Sequence, residues 1–221
     1  MPRYLLTFEK GEPVRWLNHL DILRTFERAI RRSGLPVAFS QGFNPRERLA
    51  FASALGTGIT GEAEKATLEL TAPLDPADVR ERLNAALPPG IRIHACELIP
   101  DAGARDLLNA YTRAEYRLLC RCPEGVTEHE VVDAIERFLS ETDVPFARER
   151  EGKVRSINMR SLVELLACEA GSCREGQVVL RAVMVLAATG AARPVEVVQA
   201  LSAFLPGLTL RRAHRVRLLG A

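Results

Sequence analysis

The sequence predicts an α+β protein built from two tandem ferredoxin-like (βαββαβ) domains. Three observations predict it. Short runs alternate apolar and polar residues, as half-buried strands require. Longer runs place apolar residues at helical spacing. Each half then spells β-α-β-β-α-β with extra extended pieces, which is the split βαβ order. The halves are nearly equal, residues 1–100 and 112–221, with a connector at 101–111.

The elements follow in order. YLLTF at 4–8 reads as a strand. Residues 20–33 read as a helix, with Leu20, Leu23, Phe26 and Ile30 as its apolar face and Gly34 as its stop. LPVAFS at 35–40, RLAFASAL at 48–55 and ATLELT at 66–71 read as strands. Asp75 and Pro76 open a second helix with a capping side chain and a first-turn proline, and Pro88-Pro89-Gly90 ends it. IRIHACELI closes the first half as a strand. The connector holds one or two helical turns. AEYRLLCRC then restarts the pattern as a strand, and Thr127 with Glu130 forms a capping box before VVDAIERFL. VPFARER reads as extended, and strand is favoured over much of KVRSINMRSLVELLACEA. QVVLRAVMVLA is β-rich, Pro194 opens the last helix, and LTLRRAHRVRLL is the last strand.

Composition narrows the function classes. Among 221 residues, 47% are hydrophobic, enough for a core and too many for a disordered chain. Aromatics are 5%, which argues against a broad base-stacking platform. The net charge is +2, so basic character has to be local to matter. The 5 cysteines are irregularly spaced, as in a reduced, cytosolic protein rather than a disulfide framework. No signal peptide and no membrane-length apolar run is read, so a cytoplasmic protein without a membrane partner is expected. No metal-ligand spacing occurs, and no cofactor is expected.

GTGITG at 56–61 matches G-x-G-x-x-G, the dinucleotide fingerprint. That motif needs a helix directly after it, whose N-terminal amides hold the pyrophosphate. A strand-like alternation follows instead, so these glycines are read as a turn or bulge between strands.

The chemistry-bearing stretch lies upstream. Arg24, Arg28 and Arg31 fall at i, i+4 and i+7, on one helix face. Arg46 and Arg48 follow the next strand. A guanidinium matches phosphate geometry, so the face reads as an RNA phosphate site or as a solvated surface paired with Asp21, Glu27 and Glu47. In SQGFNP, Ser40, Gln41 and Asn44 offer polar side chains, Gly42 allows a tight turn and Pro45 extends Asn44. Phe43 is there either to stack a base or to fill the core. His19 at the helix mouth is an acid–base candidate or a structural residue. In the second half, Arg155, Asn158 and Arg160 lie in a polar strip with Lys153, and Arg211, Arg212, Arg215 and Arg217 make the last strand basic. These either blunt an edge strand or extend an anion-binding surface.

HLDILRTFERAIRRSGLPVAFSQGFNPRERLAFA resembles the opening of a radical-SAM-associated bacterial family of unknown function. The resemblance covers essentially the whole chain. It is most specific over residues 19–51, where H-L-D-x-x-R and S-Q-G-F-N-P stand at the family's spacing. It implies partnership with a radical SAM enzyme. The chain lacks Cys-x3-Cys-x2-Cys, so the catalyst would be a separate chain. It carries over His19, Asp21, Arg24 and residues 40–45 as functional positions. The tandem architecture is also similar to the repeat-associated RNA-processing nucleases of CRISPR systems. Their C-terminal glycine-rich loop is reduced here to Pro206-Gly207. The leading expectation is an RNA-binding accessory protein in transfer or ribosomal RNA modification. The alternatives are a metal-independent RNA-processing enzyme using His19, and a protein-only adaptor for the radical SAM chain.

Overall fold

The fold is that of a computed structural model, which describes residues 1–100, 104–150, 152–186 and 191–220. It is a mixed α+β fold with a mostly antiparallel sheet. The chain divides into two compact units, residues 1–111 with 217–221, and residues 112–216.

The first unit opens with β1 (Arg3–Lys10) and α1 (His19–Ser33). Asn18 caps α1: its side chain accepts from the Asp21 amide at 3.0 Å, and the Asp21 carboxylate accepts from the Asn18 amide. Gly34, at φ 66°, ends the helix in the left-handed region. The buried face of α1 carries Ile22, Phe26, Ala29 and Ile30. Leu20, expected in that face, is exposed.

LPVAFS does not form the expected strand. Ala38 donates to the Glu69 carbonyl and Thr71 to the Pro36 carbonyl, while Ser40 and Arg48 bond to residues 46 and 38. The segment thus divides its backbone between two neighbours and makes only isolated bridges. The expected 48–55 strand shortens to β2 (Leu49–Phe51). β3 (Ile59–Glu69) is longer than expected and begins inside the glycine motif. The β1–β3 register shifts between Phe8 and Lys10, opposite Gly61. A Cβ on Gly61 would lie 2.5 Å from the Glu64 carboxylate, so the glycine makes room for that buried group.

α2 (Pro76–Ala86), capped by Asp75, and β4 (Ile91–Ile99) complete the pattern. The order is β4-β1-β3, with β2 on the far side of β3, and all three pairings are antiparallel. Phe8, Phe26 and Phe51 meet edge to face at 5.0–5.8 Å in the core. α3 (Ala104–Asn109) packs on β3, so the connector has its helical turns; residues 101–103 lie outside the described residues.

The second unit holds β5 (Tyr111–Arg121), which starts at the last residue of the first, and α4 (Glu128–Ser140). The Thr127–Glu130 capping box forms as expected. β6 (Pro145–Arg150) and β7 (Lys153–Asn158) make a separate two-stranded sheet. A 3-10 turn at Arg160–Leu162 leads to β8 (Val163–Cys168), then β9 (Gln177–Val185), α5 (Pro194–Leu201) and β10 (Thr209–Gly220). The expected β-rich run at 177–187 ends in β9, and its residue 187 lies outside the described residues. The order here is β10-β5-β9-β8. The last residues of β10 belong to the first unit. No helix among the described residues is long and apolar enough to cross a membrane.

Candidate nucleic-acid interface

Residues 40–46 form a closed turn. Ser40 anchors it at both ends: its amide donates to the Arg46 carbonyl at 2.8 Å, and its hydroxyl accepts from the Arg46 amide at 3.0 Å. Gly42 sits at φ 128°, a conformation that favours glycine. Gln41, Gly42, Phe43, Asn44 and Pro45 are all exposed. Phe43 is 104% exposed, so it does not fill the core.

A groove of about 450 Å³ runs between this turn and α1. Arg24, Glu27 and Arg31 line one side, and Pro45, Arg46 and Glu47 the other. Leu20 and Leu23 add an apolar stretch from the helix. These helix positions share a face because 20, 23, 24, 27 and 31 follow the 3.6-residue repeat.

The arginines differ in how they are held. Arg31 Nε donates to the Glu47 carboxylate at 2.7 Å, tying α1 to the turn. Burial pushes the Glu47 carboxyl up, but the hydrogen bonds from Arg31 and from its own backbone more than offset this and leave it below the ordinary value. The hydrogen bond to Glu47 raises the Arg31 guanidinium in turn. Arg24 stands 3.9 Å from Asp21, too far for a hydrogen bond. Arg46 has no side-chain partner among the described residues, and neither does Arg28, which is exposed but does not line the groove. Arg46 entered the sequence reading only as a neighbour of Arg48; its unpaired guanidinium is visible only in the fold. Arg48 points its charge elsewhere, to Glu69 at 2.9 Å.

His19 is half-buried and meets Phe51 edge to face at 5.5 Å. It lines a small hollow with Lys10, Ser53 and Glu64. Lys10 and Glu64 are both buried, and the Lys10 ammonium donates to the carbonyls of Leu17 and Gly56 at 2.8 and 3.3 Å. Sequence reasoning passed over both residues, because nothing in a strand pattern marks a charged residue as inward-facing.

The second-unit candidates separate. Arg155 is exposed on β7. Asn158 accepts from the Val144 amide and donates to the Thr142 carbonyl, stapling β7 to the end of the α4 connection. Arg160 lies in the 3-10 turn rather than a strand, and donates to the carbonyls of Leu139 and Val163. Both polar groups therefore serve the local fold. Arg215, expected on a basic surface strand, is buried beside Tyr116. Among the described residues no cluster of His, Cys, Asp or Glu is arranged to hold a metal.

Among curated proteins no sequence matches this one. Solved structures share its fold. A chain of a Cbf5-Nop10-Gar1 complex superposes with a TM-score of 0.56 at 10% identity over 97% of this chain. A chain of an H/ACA RNP bound to a substrate RNA containing 2'-deoxyuridine gives 0.52 at 10% identity over 97%. One from the archaeal box H/ACA sRNP Nop10-Cbf5 complex gives 0.52 at 11% over 96%. The chain covers 48%, 47% and 46% of those chains, about half their length. At such identities the likeness is one of fold. The sequence itself matches, over residues 3–206, the model of a family described as an uncharacterized protein conserved in bacteria, and the chain belongs to that family, DUF2344.

Proposed function

We propose that the chain is an RNA-binding accessory protein that presents a transfer or ribosomal RNA to a separate radical SAM enzyme. The observation that carries the RNA reading is Phe43, wholly exposed at the tip of a closed turn beside a groove bearing Arg24, Arg31 and Arg46. An exposed aromatic gains little from water and much from a stacked base. Guanidiniums beside it suit the phosphates on either side of that base. In this reading Gln41 and Asn44 contact base edges or sugar, Gly42 and Pro45 shape the tip, and Asp21 positions the helix end that bears Arg24. Arg28 adds an outer phosphate contact, and Arg155 offers a separate one on the second unit. Two tandem ferredoxin-like domains are part of the proposal, supported by the matching strand orders of the two units. The likeness to RNA-complex proteins supports the ligand class. The resemblance over residues 19–51 supports the radical SAM partner.

A second reading makes His19 an acid or base in RNA processing. Its support is that the buried ionisable groups Lys10 and Glu64 line the same hollow. That hollow measures about 10 Å³, room for one water, which favours the binding reading.

The experiment is binding to total cellular RNA across a salt series, with an Arg24/Arg28/Arg31→Glu triple variant alongside. Phosphate contacts make log affinity fall with log salt by about 0.7 per contact on single strands. The expected result is a clear slope for the wild type that flattens in the variant. Absence of binding at low salt would overturn the RNA reading.

A further inference from the structure

The turn has a second flank. Behind it the first unit holds a hollow of about 360 Å³, lined by Arg3, Arg48, Glu69, Ser40 and Thr67. Leu49 and Leu108 form an apolar wall. Glu69 accepts from both guanidiniums, from Arg3 through one carboxylate oxygen and from Arg48 through the other. Two positive groups share one negative group, so the hollow keeps a net positive charge. The Nε–H of Arg3 is buried and meets no acceptor among the described residues. A buried donor left unmatched is costly, and a native fold seldom keeps one without a ligand or water to satisfy it.

We infer that this hollow binds a nucleotide by its phosphate. The phosphate oxygens accept from Arg3 and Arg48, whose planar forks fit them. The hydroxyls of Ser40 and Thr67 supply further donors at the lining. The nucleoside lies against Leu49 and Leu108, and the volume falls in the range of small-ligand sites. The inference stands on this hollow alone and does not require RNA in the groove on the other flank.

The test is calorimetric titration of the full chain with uridine and adenosine 5′-monophosphates, with uridine, and with inorganic phosphate. A short RNA bearing either a 5′-phosphate or a 5′-hydroxyl completes the set. The monophosphates bind and uridine does not. Arg48→Gln and Arg3→Lys each weaken the monophosphates about tenfold, as loss of a charged hydrogen bond requires. Preference for the 5′-phosphorylated RNA over its 5′-hydroxyl form makes the ligand a strand end. Binding of the mononucleotides alone makes it a free nucleotide. Both support the inference. It is overturned if the monophosphates fail to bind at millimolar concentration, if both variants bind them normally, or if inorganic phosphate binds as tightly. Should a variant unfold, amide shift mapping of the wild type decides: perturbation by monophosphate at Ser40 and Thr67 is expected, and perturbation confined elsewhere overturns it.

Discussion

Phe43 touches nothing in its own fold, which makes it a clean probe. Its replacement by alanine removes no packing, so Phe43→Ala is expected to leave the melting temperature unchanged. RNA affinity is expected to fall by about 1–3 kcal/mol, the usual worth of one stacked base. Thermal melts and filter binding on one preparation check both halves; an unchanged affinity would remove Phe43 from the interface. The sequence left this position open between a stacked base and the core, because a phenylalanine in a polar turn is compatible with both, and its exposure in the fold removes the core. What each polar residue does was not legible. Asp21 caps a helix, Asn158 staples a strand and Arg160 satisfies carbonyls at a helix end. A hydrogen-bonding side chain looks the same on paper whether its partner is its own backbone or a ligand.

At the level of elements, α1 and the 40–46 turn work as a pair because Glu47 joins them. The Glu47 carboxyl is lowered in the folded state, so its contribution is complete above its unfolded value. That contribution is lost as pH falls through the lower folded value. Glu47→Gln keeps the shape but removes the charge. The variant is expected to melt below the wild type at neutral pH, with the gap closing as the pH falls through the lowered folded value of the Glu47 carboxyl. Melting curves across that range test it; a gap constant with pH would mean the ion pair contributes nothing. Helix existence and caps were readable, since spacing, Gly34 and Asp75 act locally. The buried face of α1 was misjudged by one register: Leu20 and Leu23 fit the spacing of Phe26 and Ile30, but Ile22 and Ala29 fit it better. The strand expected at 35–40 failed for a different reason. Its pairing is settled by residues 46–48 and 69–71, which local propensity does not weigh.

Across the whole molecule, the two units each carry basic residues, Arg24, Arg31 and Arg46 in the first and Arg155 in the second. If a long RNA uses both, Arg155→Glu should lower the salt slope by about 0.7 without changing which sequences are bound. An unchanged slope would confine RNA to the first unit. The sequence by itself determined the α+β class, the alternation of helices and strands, the caps and the rejection of a dinucleotide loop. Those properties follow from neighbours a few residues apart. Only the tertiary structure decided that Phe43 stays in water while Arg215, Lys10 and Glu64 are buried, and that Arg24 and Arg31 face Arg46 across a groove. Burial and convergence depend on which distant segments pack together, and no local pattern in the chain encodes that.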